Sequence, residues 1–417
     1  MKDVIVVGAN LNKKCRKEFN MYAVGIDVSK GKSTIAINQD GNLIIKPFEI
    51  RHTEEGISKL LEKINSIPKD EIKFVMEATG NYHLPVLTKL LELNYFVCVE
   101  NAYLMKKYFD VNLRKAKTDK KDSIKLANYC LEKWNTLKQY SSQDLIYANL
   151  KFLSRQYHQQ TSLKIKAKME LNNLIELTFP YFTDQFNLDN QYLFMLDVYE
   201  KYFHPDLIKK KTENKFIEDI EKIAKKRGHR TGMRVGDLLY NLAQQTISTR
   251  PNNQYTRLAV TSCVYSLRFL EKTTNDIISQ MDKLARELPE FDIVSQMQGV
   301  GKKIRSRIIA EIGDIRKYKS ANSLIASAGI DTPPYQSGSF VAKNVHISKK
   351  GNKYLRKCGF EIMKSIKAIK PQNDSSVYDY IIKKELEGKA VKVCMIAGLN
   401  KFLRIYYARV KEIYKNK

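Results

Sequence analysis

Residues 22–37 read YAVGIDVSKGKSTIAI, and this stretch decides the fold class that the sequence predicts. Its two apolar, β-branched runs, 22–28 and 33–37, flank the turn-like segment SKGK. A third run of the same kind, LIIKPFEI at 43–50, follows the turn sequence QDGN. Short strands separated by tight turns predict an antiparallel meander.

The residues after the meander alternate between helical and strand patterns. Thr53, Glu54 and Glu55 open a helical pattern that ends near Pro68. Further along, we predict a strand at 73–78, a helix at 84–93, a strand at 95–99 and a helix at 119–133. The order βββαβαβα predicts a mixed α/β domain whose second half is parallel.

Strand signals stop near residue 140, and the remainder is predicted to be mainly α-helical. Residues 145–177 carry an apolar stripe at Ile146, Leu150, Leu153 and Tyr157, which polar Gln160 and Lys164 interrupt. A cleaner stripe with spacings of three and four runs through 256–288, at Val260, Cys263, Leu267, Leu270, Thr274, Ile277, Met281, Leu284 and Leu288. This pattern favours a coiled coil or an antiparallel helix pair, with an ordinary core helix as the alternative.

These patterns divide the chain into four parts: an N-terminal extension at 1–20, the α/β domain at 21–140, a helical or coiled-coil region at 141–290 and a C-terminal domain at 291–417. Residues 181–250 are interpreted as a helical insertion within the third part. The insertion is aromatic-rich at first and then very basic (KKRGHRTGMR). Its basic segment is expected to face nucleic acid or solvent.

The charge balance is strongly basic, with 72 Lys and Arg against 45 Asp and Glu and a formal net charge of +27. Such an excess favours polyanionic partners, because each neutralised phosphate releases condensed counterions. A basic membrane-surface protein is the rival class. The chain lacks an apolar run near the roughly 20 residues that span a bilayer, and it shows no lipidation signal. Its start has apolar residues before basic ones, the reverse of a signal peptide, so a cytoplasmic protein without a membrane partner is expected.

The six cysteines never form a CxxC pair, and the six histidines show no HxxxH or HxH spacing. A structural zinc site usually needs closely spaced pairs of ligands. The cysteines are therefore expected to be reduced, buried thiols.

Four acids stand where strands end or a helix begins. Asp27 ends GIDV, Glu77 ends FVMEA, and Asp119 and Asp122 open TDKKDSIKLA. Residues three apart share one helix face, so the two later aspartates can point to one site. Oxygen ligands of this kind suit Mg²⁺, and a pair of such ions can stabilise both oxygens of a phosphodiester undergoing cleavage.

Each acid also has a structural interpretation. Asp119 can stabilise the helix dipole, and Asp27 can be a turn residue. Glu77 is more informative, because an acid directly after an apolar strand is costly to bury unpaired. The bases around the later pair fit a phosphate track, and a solvated basic helix end is the alternative.

Several ordered motifs carry a family resemblance. GIDVSKGKSTIAI, EATGNYH and RKAKTDKKDS resemble the RuvC-like DEDD domain, of ribonuclease-H-like fold, in transposases of the IS110 insertion-sequence family. GVGKKIRSRIIAEIGD, ASAGIDTPPYQSGS and HISKKGNKYLR resemble the second conserved part of the same family. These motifs span about 22–130 and 295–360 and leave the middle of the chain unmatched.

The resemblance implies a catalytic site in two halves. The four DEDD acids correspond to Asp27, Glu77, Asp119 and Asp122, which would bind Mg²⁺ or Mn²⁺. The family's covalent serine nucleophile corresponds to Ser337 in YQSGS, with Ser339 the less favoured neighbour and a turn serine the alternative. Attack on phosphate would give a phosphoserine link that preserves the bond for rejoining, with the serine activated by the metal.

The resemblance also implies partners. Family members act on donor and target DNA, are guided by a non-coding bridge RNA, and assemble as dimers that pair into a tetramer. The 181–250 insertion and the 20 or so residues before the first motif depart from the family pattern.

Basic residues and glycines near these motifs are candidate nucleic-acid contacts. QGVGKKIRSRIIAEIG resembles a helix–hairpin–helix, whose glycine turn lets backbone N–H groups approach a phosphate. The candidates are Lys30, Arg114, Lys117, Lys120, Gly299, Gly301, Lys302, Lys303, Lys349, Lys350 and Arg356.

Three rival functions stay open. A RuvC-like endonuclease or Holliday-junction resolvase would use the same acids without a covalent intermediate. A sugar-kinase or actin-like ATPase shares the strand opening GIDVSKG but needs phosphate-binding glycine loops that the sequence does not show. A basic architectural protein would need no catalysis.

Overall fold

The computed structural model describes residues 20–78, 82–100, 102, 105, 108, 118–332, 336–337, 340–341 and 346–415. The predicted extension up to residue 19, the candidate contacts Arg114 and Lys117, and Ser339 lie outside the described residues. The chain divides into two compact units, Met1–Leu145 and Ile146–Lys417.

A five-stranded sheet forms the centre of the first unit. Its strands are β1 (Tyr22–Ser29), β2 (Lys32–Gln39), β3 (Asn42–Arg51), β4 (Ile72–Glu77) and β5 (Phe96–Glu100), in the order β3-β2-β1-β4-β5. β1, β2 and β3 pair antiparallel, whereas β4 is parallel to β1 and β5 is parallel to β4. The predicted meander and the predicted parallel second half are both confirmed.

Helices cover both faces of this sheet, because side chains alternate along every strand. Val24 and Ile26 of β1 share a core with α1 (Glu54–Ile64) and α2 (Leu84–Glu92). Ala23 faces the opposite side and packs with α3 (Asp119–Glu132), through Leu126 and Cys130.

Gly25 explains how closely α3 approaches β1. A Cβ at this position would lie 2.1 Å from the Ser123 carbonyl oxygen and 2.3 Å from the Ala127 nitrogen. Only glycine leaves room for the helix backbone here. The second and third turns of α3 are thereby held against the middle of β1.

The second unit is mainly helical. Its helices are α4 (Ser142–Thr178), α5 (Leu188–Lys201), α6 (Pro205–Lys209), α7 (Glu213–Lys226), α8 (Gly232–Gln245), α9 (Gln254–Ala285), α10 (Phe291–Gln296), α11 (Arg305–Ile312), α12 (Ala321–Ala328), α13 (Lys353–Ile369), α14 (Ser376–Leu386) and α15 (Val391–Ile413). A mixed α/β sheet followed by a helical remainder is the architecture that the sequence predicts.

The two longest helices of the first half of this unit, α4 and α9, run antiparallel. Lys164 of α4 pairs with Glu271 of α9, and the Cys263 thiol donates to the Ala167 carbonyl at 3.6 Å. One end of the pair belongs to an aromatic-rich core formed with α5–α8, and the other belongs to the core of the C-terminal helices.

The apolar stripe of α9 follows the prediction up to Thr274 and again at Met281. Beyond Thr274, Ile278, Met281 and Ala285 are buried, whereas the predicted Ile277 and Leu284 are only partly buried. A straight helix repeats every 3.6 residues and drifts from a heptad. Because of this drift, the predicted stripe is wrong at Ile277 and Leu284, and Ile278 and Ala285 are buried instead.

Residues 181–250 form α5–α8, which pack around Phe182, Phe194 and Phe216. In its basic segment Lys225 and Lys226 are exposed, whereas Arg227 bonds Asp197 at 2.5 and 2.9 Å. The described cysteines at 98, 130, 263, 358 and 394 are buried free thiols. In the part of the chain that the structure describes, we find no helix with the length and apolar character of a membrane span.

Candidate active site and basic surfaces

Two of the predicted acids lie side by side at one edge of the sheet. The parallel register of β1 and β4 ends at the pair Ile26 and Met76, so Asp27 and Glu77 are the next residues of the two strands. Asp27 follows Gly25 by two positions, and Glu77 follows Val75 by two positions. Gly25 and Val75 face α3, so the two acids face α3 as well. Adjacent strands lie about 4.8 Å apart, which places the two half-buried carboxylates as neighbours.

The start of α3 brings a third acid to the same face. Thr118 caps the helix by accepting from the Lys121 N–H at 3.3 Å, and Asp119 and Asp122 lie in the first turn. Asp122 is buried and directly precedes Ser123, whose carbonyl covers Gly25. Its Oδ1 lies 3.3 Å from the ammonium of Lys125.

Asp119 is exposed. The Glu49 carboxylate, 2.6 Å away, is the main cause that raises the pKa of Lys32, and the charge of Asp119 contributes to the same rise. Asp119 therefore lies within electrostatic range of the start of β2.

Further polar residues on this face escaped the sequence interpretation. Glu100 ends β5 in register with Glu77 and accepts a hydrogen bond from the Tyr129 hydroxyl at 3.3 Å. Buried Thr34 pairs with Asp27 across β1 and β2. The signal for Glu100 was present, since FVCVE ends in an acid just as FVME does.

The donors at this edge are all oxygen atoms, which is the chemistry that a hard divalent cation prefers. Among the described residues, however, no three or more His, Cys, Asp or Glu side chains are grouped so that they could hold a metal ion. Asp27, Glu77 and Asp122 lie on one face, and Lys125 supplies positive charge beside Asp122.

Ser337 lies in a short hairpin of the second unit. β6 (Gln336–Ser337) pairs antiparallel with β7 (Phe340–Val341), and Ser337 stands opposite Phe340. Hydrogen bonds join the chain on the two sides of this hairpin. The Ser348 N–H donates to the Asp331 carbonyl at 2.9 Å, and the Lys349 N–H donates to the Gly329 carbonyl at 3.0 Å.

The helix–hairpin–helix candidates differ in exposure. Gly299 is buried with φ 78°, and a Cβ there would lie 2.5 Å from Ile366 of α13, so packing already requires glycine. Gly301 faces open space, and Lys302 and Lys303 are exposed beside it. The open glycine and the two lysines form an accessible basic turn before α11.

The other candidates fall into two groups. Lys30, Lys120, Lys349 and Lys350 are exposed. Arg356 is half-buried and donates from Nη1 to the Ala328 carbonyl at 2.9 Å and the Gly351 carbonyl at 3.1 Å. It therefore has a structural role that the sequence interpretation did not foresee.

Comparison with known families places this combination of an acid-bearing α/β sheet and a basic helical unit among the transposases. Residues 24–180 match the transposase domain of the DEDD type, and residues 292–378 match the family described as "Transposase IS116/IS110/IS902 family". The chain belongs to the IS110 family of transposases.

Curated relatives agree with this assignment. The chain is 23% identical over 265 residues to the "Insertion element IS110 uncharacterized 43.6 kDa protein" of Streptomyces coelicolor, covering 62% of this chain and 64% of the relative. It is 28% identical over 146 residues to the "Pilin gene-inverting protein" of Moraxella bovis and to that of Moraxella lacunata, covering 33% of this chain and 44% of each relative. The matches thus span less than two thirds of these relatives.

Proposed function

We propose that this chain is the recombinase of a mobile insertion element, which cleaves and rejoins DNA by metal-dependent phosphoryl transfer through a phosphoserine intermediate. The ordered match of both transposase domains carries the proposal. The names of the relatives support it, since one is an insertion-element protein and two are gene-inverting proteins.

The N-terminal sheet supports a RuvC-like, ribonuclease-H-like domain. Its order β3-β2-β1-β4-β5, with an antiparallel meander and two further parallel strands, is the arrangement expected of that fold. Glu77 ends β4, Asp27 lies two residues before the end of the neighbouring parallel strand β1, and α3 brings Asp122 to the same face.

Asp27, Glu77, Asp119 and Asp122 would hold Mg²⁺ or Mn²⁺ at this edge. When bound, the cation supplies positive charge that stabilises the phosphate oxygens during transfer. Because the described side chains are not grouped for a metal ion, the chain's own part would be to draw the carboxylates together. Asp122 would exchange its contact with Lys125 for the cation.

Ser337 would carry out the covalent step. Its Oγ attacks a DNA phosphorus, one P–O bond of the backbone breaks, and the proton released from the serine accompanies the departing DNA hydroxyl. The resulting phosphodiester to serine conserves the bond, so that attack by a second DNA hydroxyl releases Ser337 and rejoins the strand.

Exposed basic residues would hold DNA and a bridge RNA through their phosphates. The candidates are Lys30, Lys120, Lys302, Lys303, Lys349 and Lys350, all exposed in the structure. Neutralisation of phosphates explains the charge of +27.

A homo-oligomer would form through the outer face of α9. Tyr255, Leu258, Tyr265 and Phe269 are 72%, 65%, 72% and 58% exposed and recur at intervals of three, seven and four residues. Such a stripe suits a coiled-coil contact with a second copy.

The experiment that tests the covalent step is denaturing electrophoresis after incubation with labelled paired DNA sites, Mg²⁺ and RNA from the flanking locus. We expect a protein–DNA adduct that Ser337→Ala abolishes and the matched Ser339→Ala retains. Cleavage without an adduct would instead support the RuvC-like endonuclease or resolvase.

A further inference from the structure

A buried carboxylate on α11 lies at the centre of a polar network that the sequence did not reveal. Glu311 is 3% exposed. Its Oε1 accepts from the Ser154 hydroxyl at 2.6 Å, and its Oε2 lies 3.1 Å from a guanidinium nitrogen of Arg155. The Asn352 amide donates to the same Oε2 at 2.7 Å.

Asn352 connects this carboxylate to two other helices. Its Oδ1 caps α13 by accepting from the N–H groups of Tyr354 and Leu355 at 3.0 and 3.3 Å. The backbone N–H of Asn352 donates to the Ser327 carbonyl near the end of α12 at 2.7 Å. One asparagine therefore ties together the end of α12, the start of α13 and the buried acid of α11.

These two helix ends flank the hairpin that contains Ser337. The contact between Ser327 and Asn352 is followed by the backbone bonds from Lys349 to Gly329 and from Ser348 to Asp331. We call these three backbone hydrogen bonds the hairpin clamp. It fixes the separation of the chain segments from which the hairpin extends.

The network consists of polar and charged groups with directional contacts, where an apolar core would have none. A buried carboxylate is costly unless it is paired and hydrogen-bonded, and apolar residues of similar volume often stabilise a core equally well. Glu311 instead accepts hydrogen bonds whose directions determine where the Asn352 amide lies.

We propose that Glu311 is a positioning residue, which acts through Asn352 and the hairpin clamp to orient the backbone that carries Ser337. The inference rests on the proposed role of Ser337 as the nucleophile. A misplacement of about 1 Å in a reacting group can lower a rate about a hundredfold, so a clamp of this kind is expected to control strand transfer.

Asn352→Asp separates the two tasks of Asn352. Aspartate is as good a helix cap as asparagine, but it cannot donate to Glu311 and places two carboxylates together. We expect the Ser348 and Lys349 amides to exchange hydrogen at least about tenfold faster, and adduct formation at Ser337 to slow about tenfold to a hundredfold.

The double variant Glu311→Gln with Asn352→Asp reverses the donor and the acceptor of the same hydrogen bond. We expect it to recover most of the amide protection and most of the adduct rate. The matched control is Asn253→Asp, which changes the same residue type at the N-cap of α9 and should leave both readouts unchanged.

Wild-type exchange and adduct rates in Asn352→Asp would overturn the proposal, as would a double variant no better than the single one. If Asn352→Asp fails to fold, Asn352→Ser keeps a capping oxygen and removes the amide, and the same losses are expected. Because amide exchange does not depend on catalysis, it tests the clamp even if Ser337→Ala proves fully active.

Discussion

The ammonium of Lys125 lies 3.3 Å from Oδ1 of Asp122, three residues earlier on α3. The Asp122 side chain is 10% exposed and the Lys125 side chain 28%. Asp122, which lies next to the backbone contact between α3 and β1, therefore already has a positively charged side chain beside it. A divalent ion at this edge must compete with that cation for the same oxygen.

This competition predicts that Lys125→Met raises the Mg²⁺ affinity of the acidic edge. A partly exposed ion pair of this kind is worth up to about 1 kcal/mol, so an increase of about two- to fivefold is expected. Titration calorimetry with Mg²⁺ measures it directly. Lys121→Met removes an exposed lysine from the same helix and is the control; equal affinities in all three proteins would contradict the competition.

The buried position of His158 predicts that the free energy of unfolding depends on pH. Burial, followed by the nearby charges of Arg307, Lys357 and Arg155, lowers its pKa from 6.5 to about 3. Between these values the unfolded chain binds a proton that the folded chain does not, so stability falls as the pH drops below 6.5.

The contribution of His158 approaches about 1.4 kcal/mol per pH unit. Urea unfolding at pH 7 and at pH 5 measures it. His158→Phe keeps an aromatic ring against Tyr354, 4.6 Å away between ring centroids, and should show a smaller loss on acidification. The same loss in both proteins would show that another group is responsible.

At the hairpin clamp, the backbone around Gly351 leaves no room for a side chain. A Cβ there would lie 2.2 Å from the Ser327 carbonyl oxygen and 2.4 Å from the Gly329 nitrogen, both backbone atoms. Gly351→Ala is expected to lower the free energy of unfolding by about 1–3 kcal/mol.

Gly301→Ala is the matched control, because a Cβ at Gly301 meets nothing within 4 Å. Denaturant unfolding of the two variants should separate them clearly. A Gly351→Ala protein as stable as Gly301→Ala would mean that the clamp is looser than its distances indicate.

The exposed position of Lys302 predicts that its substitution changes the salt dependence of DNA binding. If this exposed lysine contacts a phosphate, Lys302→Ala reduces the slope of log K against log salt concentration by about 0.9. Fluorescence anisotropy with duplex DNA at several salt concentrations gives the slope. Lys59→Ala, at an exposed position of α1, should leave the slope unaltered, and an unchanged slope in Lys302→Ala would remove Lys302 from the interface.

The sheet was predictable because its strands are short, apolar and separated by turn residues. The same local pattern correctly placed Glu77 at the end of β4, whereas β1 continues two residues beyond Asp27, to Ser29. That the two acids share one face could not be read from the local pattern. It depends on the parallel register of β1 and β4, a pairing between residues distant in the sequence. Glu100 ends an apolar run as Glu77 does, but its place beside Glu77 depends on the register of β4 and β5, which the sequence pattern does not show.

The buried polar residues of α4 were not predictable from periodicity. The pattern selected Leu153 and Tyr157, which are partly buried, whereas Ser154 and His158 are the buried neighbours. Ser154 is buried because it bonds Glu311, a residue 157 positions later in the chain. Gly299 is similar, since its contact with α13 becomes apparent only in the fold.

The central claim is that the acids at the edge of the sheet drive metal-dependent DNA cleavage. Its most direct test is the rate of strand cleavage as a function of Mg²⁺ concentration for wild type, Asp27→Asn, Glu77→Gln and the control Glu62→Gln, an exposed acid of α1. We predict losses of about a thousandfold or more for the first two variants, with unchanged folding by circular dichroism, and wild-type activity for the control. Wild-type cleavage by folded Asp27→Asn or Glu77→Gln protein would contradict the claim.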